Sequence, residues 1–238
     1  MALILNVDTS TQICSVALAQ DGKMLGIKES SDDRSHASLL AIFIQQVLEE
    51  NERSISQLDA IAVSKGPGSY TGLRIGVSTA KGLAYAAGIP LISVDTLSAL
   101  TFGVIHGKEL ENKALSRDWD FYLCPMIDAR RMEVYTAIFH PSGEMIIPTT
   151  AKIIEEDSFK DFIEQKQVIF FGNGAIKCRD VIQHSNAIFL DGIETSAKYM
   201  VSLAESAWQQ KCFEDIAYFE PFYLKNFVAT IPKNKVFK

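Results

Sequence analysis

The chain has 238 residues, 47% hydrophobic and 22% charged, the balance of a folded globular protein rather than of a disordered segment. Its 29 acids outnumber its 23 bases for a net charge of −6, which argues against a protein whose own surface grips a phosphate backbone. Cys14, Cys124, Cys178 and Cys212 stand far apart with no CxxC pair, and Met1–Asp8 reaches a charge too early for a signal or membrane span. No zinc knuckle or disulfide framework is therefore expected, but a cytoplasmic protein with no membrane role.

Residues 2–7 are apolar and β-prone, 13–19 alternate loosely, and Asp21-Gly22 supplies a tight-turn pair before 24–28, so a three-stranded meander is expected. From Ser35 to about Glu50 the residues Leu39, Leu40, Phe43, Ile44, Val47 and Leu48 follow helical spacing. Asp33 or Ser35 is the expected N-cap, and Ile42 widens the stripe beyond one face. A strand at 60–64 then runs into Gly66-Pro-Gly68-Ser-Tyr-Thr-Gly72, a second helix reaching about Ala87, a stop at Gly88 and a strand at 91–94. Residues 1–105 thus read as a βββαβαβ lobe.

The polar stretch 106–120 marks a boundary. Beyond it, strands are expected at 121–129 and 133–139, a turn at 141–144, and a third strand from Met145. Helices at 158–166, 178–184 and 197 to about 212 then alternate with strands at 168–171 and 187–190. Residues 106–220 repeat the grammar of the first lobe, which points to an α/β, two-lobed, actin-like duplication with mixed sheets. Residues 221–238 form a tail with four lysines and no acid. Its start is expected to pack on the body and its end to fray, contact with RNA or a partner being the other reading.

Asp8-Thr9-Ser10 ends the first strand, where turn hydroxyls and amides can hold a phosphate or simply close an Asx turn. The loop from Gly66 to Gly72 opens a helix and could offer free N–H groups to an anion. It lacks the Gly-Lys-Ser/Thr of a phosphate-binding loop, and its GxGxxxG is one residue longer than the dinucleotide fingerprint. Asp95, 23 residues past Gly72, keeps a dinucleotide reading open, although that fingerprint belongs on the first strand of a βαβ fold. Gly172 and Gly174, in Phe171-Gly-Asn-Gly-Ala175, end a strand where a loop could lie against an adenosine or form a plain turn. Asp128, Arg130, Arg131 and Glu133 join two strands and either face a cleft or are solvated. Gly76-Val-Ser-Thr-Ala80 falls inside a helix rather than at a nucleophile elbow, and His36, His106, His140 and His184 have no metal-site spacing.

Gly72, Gly76, Ala80, Ala84 and Gly88 recur every fourth residue, a ridge that lets another backbone approach closely. That backbone belongs either to the chain's own sheet and first helix or to a partner. The over-wide first helix tips the reading toward a partner.

The segments ILNVDTSTQICSVAL, SKGPGSYTGLRIGVSTAKGLAYAAGIPLISVDTLSAL, IDARRMEVYTAIF and EPFYLKNFVA closely resemble the TsaB (YeaZ-like) family, over nearly the whole chain. The resemblance implies the ASKHA, ribonuclease H-like fold and a role in making threonylcarbamoyladenosine on tRNA. It also implies a partner, TsaD, the paralogue that transfers threonylcarbamoyl to the adenosine beside the anticodon in tRNAs reading codons that begin with A. The resemblance implies that the TsaD contact lies on the two helices of the first lobe, with Leu39, Phe43, Val47, Leu73, Gly76, Val77 and Ala80 as the candidate interface; TsaE joins the pair, a homodimer forms when TsaD is absent, and tRNA is met only through the complex. Where TsaD carries two metal-binding histidines in an HxxxH pattern, this chain has Thr96 and Leu100. No catalytic residue, metal or cofactor of its own is expected, with ATP or ADP having a place only at an interface of the complex. An independent ATPase or small-molecule kinase built on Asp8-Thr9-Ser10 is the alternative.

Overall fold

The structure, a computed structural model, describes residues 1–31, 36–110 and 120–225. Its first sheet contains β1 (Leu3–Asp8), β2 (Cys14–Gln20), β3 (Lys23–Ser30), β4 (Ala60–Gly66) and β5 (Leu91–Asp95), in the order β3-β2-β1-β4-β5. The meander is antiparallel, and β4 and β5 add in parallel on the other side of β1. Every residue of β1 is buried, as an apolar run at the centre of a sheet covered on both faces requires.

Alternation along β1 divides the two cores. Leu3, Leu5 and Val7 face helices α1 (His36–Glu50) and α2 (Tyr70–Ala87), whose Leu40, Ile44, Val47, Val77, Ala80 and Ala84 close that layer. Ala2 and Ile4 face the opposite way, with Ala60, Ala62 and Ile92, onto Ala99 of α3 (Thr96–His106) and Ala204 of α5 (Val201–Gln209). The lobe is three layers deep, with both faces of the sheet covered.

The second sheet contains β6 (Phe121–Asp128), β7 (Glu133–Phe139), β8 (Met145–Ile153), β9 (Gln167–Phe171) and β10 (Ala187–Phe189), ordered β10-β9-β6-β7-β8. From the other edge this is an antiparallel meander followed by two parallel strands, the pairing of the first sheet repeated. The expected duplication and mixed sheets are present.

Several elements differ from expectation. Helix α3 is absent from the sequence reading; Asp95, which kept a dinucleotide reading open there, is instead its N-cap and accepts the Ser98 amide at 2.8 Å. The helix expected at 158–166 shrinks to α4 (Lys160–Ile163), since Phe159 sits at φ +65° and cannot continue a right-handed turn. The one expected at 178–184 is a 3₁₀ turn, Ile176–Cys178, and that from 197 begins as a 3₁₀ turn, Ala197–Met200, before α5. Helix α5, which the sequence reading places in the second lobe, packs on the first sheet, where its Ala204 shares a core with Ile4 of β1 and Ala60 and Ala62 of β4. The proposed cap residues Asp33 and Ser35 lie outside the described residues. Gly88 does end α2, in the left-handed conformation.

Candidate functional site

Asp8, Thr9 and Ser10 are all buried. The Asp8 carboxylate accepts the amide of Ser10 at 2.9 Å and its hydroxyl at 2.6 Å, a closed Asx turn. Burial pushes the Asp8 carboxyl above the ordinary carboxylate range, against the opposing pull of the Ser10 and Ser64 donors. Thr9 donates its hydroxyl to the carbonyl of Gly72 at 2.7 Å, and Ser10 offers its carbonyl to the amide of Ser69 at 2.6 Å. The turn after β1 is thus bonded to the glycine-rich loop after β4. The hydroxyl of Ser69 in turn accepts the Gly72 amide at the start of α2.

The glycines of α2 follow from that contact. A Cβ on Gly72 would overlap the Thr9 carbonyl oxygen, and one on Gly76 would overlap the Thr9 hydroxyl. Gly72 and Gly76 of the small-residue ridge therefore face this chain's own β1–β2 turn, Ala80 and Ala84 pack in the first lobe's core, and a Cβ on Gly88 would meet nothing within 4 Å. Of the candidate interface residues, Val47, Leu73, Gly76, Val77 and Ala80 are buried, and Leu39 and Phe43 are partly exposed. The outward sides of α1 and α2 carry other apolar residues instead, Ile42 at 47% exposure and Tyr85 at 80%.

Gly172 and Gly174 close an equivalent contact in the second lobe. Gly172 lies at φ +98° against the Met126 carbonyl and Leu100, and the Gly174 amide donates to that same carbonyl at 3.0 Å. Asn173 accepts the Asp128 amide at 2.9 Å. The loop is folded onto the end of β6, as the first lobe's loop is folded onto the end of β1. No described hydrogen bond joins it to Asp8, Thr9 or Ser10. The charged β6–β7 tip is engaged too: Lys177 bonds the Asp128 carboxylate at 2.5 Å and the carbonyls of Arg131 and Glu133, each at 2.7 Å.

Thr96 and Leu100 are both spent on structure. The Thr96 hydroxyl is 2.7 Å from that of Ser64, and Leu100 sits in the core between α3 and the second sheet. Residues 214–225, only partly anticipated, run across both lobes. Glu214 bridges to Leu91 and accepts from the Ser93 hydroxyl at 2.5 Å, Lys81 donates to the Phe219 carbonyl, and the Phe222 amide donates to the Lys65 carbonyl at 2.7 Å. Tyr223 rests on Tyr70 with ring centroids 4.8 Å apart, and Lys225 pairs with Glu133 of the second lobe. Residues 226–238, with three of the four tail lysines, lie outside the described residues.

A further polar knot carried no sequence signal, having neither motif nor period. The Glu29 carboxylate accepts from Ser15 at 2.8 Å and from Ser196 at 2.5 Å, and Ser15 accepts the Ala197 amide at 2.8 Å. Thr11 and Thr195 share a 2.7 Å hydroxyl contact beside it. These bonds fasten the segment entering α5 to the meander.

The family model for TsaD, tRNA N6-adenosine threonylcarbamoyltransferase, matches residues 13–233. The chain is 31% identical to the tRNA threonylcarbamoyladenosine biosynthesis protein TsaB of Haemophilus influenzae, covering 95% of this chain and 94% of that one. It is 29% identical to the TsaB of Escherichia coli over 95% and 96% of the two chains. Among solved structures, YeaZ of Pseudomonas aeruginosa superposes with a TM-score of 0.77 at 27% identity, covering 94% of this chain and all, 100%, of that one.

Proposed function

The chain belongs to the TsaD family and, within it, to the TsaB-like proteins of tRNA threonylcarbamoyladenosine biosynthesis; from that premise we propose that it is the accessory, non-catalytic subunit of the modifying complex. In this reading it docks on TsaD through the outward faces of α1 and α2, TsaE joins the pair, and tRNA is contacted only through the assembly, in the cytoplasm. Alone, the same face pairs two copies of the chain.

The observation that carries the reading is the fate of Thr96 and Leu100. At the positions where TsaD carries two metal-binding histidines, one side chain is hydrogen-bonded to Ser64 and the other is buried in an apolar core. A leucine offers no lone pair, and this threonine's hydroxyl is already engaged. The docking face is supported by exposed Ile42 on α1 and Tyr85 on α2, by the partly exposed Leu39 and Phe43 of α1, and by glycines of α2 closed against Thr9 beneath. A net charge of −6 leaves the gripping of tRNA to another subunit. Among the described residues no helix is long and apolar enough to cross a membrane.

The test is reconstitution of threonylcarbamoyl transfer to tRNA from the activated adenylate. The chain alone should yield no modified tRNA, and its addition to TsaD and TsaE should raise the yield by an order of magnitude or more. Turnover of ATP by the chain alone, abolished by Asp8→Ala, would instead support the independent ATPase or kinase.

A further inference from the structure

A groove of about 600 Å³ opens between one flank of α3, the turn joining β7 to β8, and Leu203 of α5. That volume lies within the span of about 300–1,000 Å³ common for small-molecule sites. None of its lining residues belongs to the β1–β2 turn, the glycine-rich loops, α1 or α2. It is therefore separate from the docking face and from the contacts between loops described above.

Three features give the groove a chemical character. Its walls include Phe102 and Leu203, and the Phe102 ring lies 4.1 Å from the ring of His106, an aromatic surface suited to a flat apolar body. Two imidazoles, His106 and His140, come to it from different elements, and no acid is among the described residues that line it, although the chain as a whole is acidic. His140 Nδ1 accepts the Ser142 amide at 3.1 Å, which leaves Nε2 of the neutral ring as a donor. Beneath them Thr101, 1% exposed, lines the groove with a buried hydroxyl that has no hydrogen-bond partner. A buried hydroxyl in that state is a cost that an incoming acceptor would relieve.

We propose that this groove binds a small amphipathic carboxylate, its apolar body against Phe102 and Leu203 and its anionic end met by His106 and His140. Walls with no acid among the described residues and two imidazoles select against cations, and the apolar walls select against small inorganic anions.

Naphthalene-2-carboxylate is the probe, titrated into the full chain while the ring protons of the four histidines are followed by NMR. The resonances of His106 and His140, assigned through His106→Gln and His140→Gln, should move together to saturation with a Kd below about 1 mM. Those of His36 and His184 should stay still. Naphthalene-2-carboxamide, with the same body and no charge, should bind at least about tenfold more weakly. Ser142→Glu, at an exposed turn position, should weaken the acid by a similar factor, and Thr101→Val should weaken it several-fold. No saturation up to about 5 mM would overturn the proposal. So would equal affinity for acid and amide, or indifference to Ser142→Glu.

Discussion

Thr9 donates its hydroxyl to the Gly72 carbonyl at 2.7 Å, and with that bond the turn after β1 and the first turn of α2 become one unit. The glycines of α2 divide accordingly. A methyl group on Gly72 would meet the Thr9 carbonyl oxygen, whereas one on Gly82 would meet nothing within 4 Å. Overpacking of a closed contact costs about 1–3 kcal/mol, so Gly72→Ala should lower the stability measured by urea denaturation by that amount. Gly82→Ala should raise it by about 0.5–1 kcal/mol, the ordinary gain in an exposed helix interior. If the ridge served an outside partner alone, both substitutions would stabilise the isolated chain.

Asp8 makes stability depend on pH in a defined direction. Burial holds its carboxyl above the ordinary range in the folded chain, while the unfolded chain titrates near about 3.9. The native state therefore keeps a proton that the unfolded state has released. The contribution of this group is fully present below the unfolded value and is lost as pH rises through the folded one. Asp8→Asn keeps an acceptor for the Ser10 amide and removes the titration. The stability difference, variant minus wild type, should grow as pH is raised from about 4, with the variant more stable at neutral pH. A difference that is flat with pH would show that the carboxyl is not displaced.

The cysteines should divide three to one. Burial pushes the Cys14 and Cys178 thiols up to about 11 and Cys124 up to about 12, and Cys212 alone is exposed. Alkylation of the native chain at pH 8, followed by peptide mass spectrometry, should modify Cys212 rapidly and the other three only at the rate of unfolding. Rapid labelling of Cys124 would contradict the packing of the second lobe.

Much of the architecture was legible because it rests on period and punctuation. The fully apolar run of β1, the 3.6-residue spacing of α1 and the Gly88 stop each have one favoured outcome. Helix α3 was missed because Thr96–His106 is apolar nearly all round and so has no face to detect, and its start depends on Asp95 acting as a cap. The direction in which the glycine ridge faces could not be read, since a small residue fits equally well against one's own turn or another protein. What decided it was Thr9, more than sixty residues earlier in the chain. The lobe to which α5 packs was hidden for a similar reason, its Ala204 being complementary to Ala60 and Ala62 of β4.

The central claim, an accessory subunit docking through the outward sides of α1 and α2, is tested most directly by light scattering on mixtures with TsaD from the same organism. The wild type is compared with Ile42→Asp/Tyr85→Asp and with Ile153→Asp, exposed on the distant strand β8. All three substituted side chains are exposed, so the fold should be spared. The account predicts a one-to-one complex for the wild type and Ile153→Asp, and at least about tenfold weaker association for the α1/α2 pair of substitutions. A complex of undiminished affinity in the α1/α2 variant, or no complex with the wild type, would contradict it.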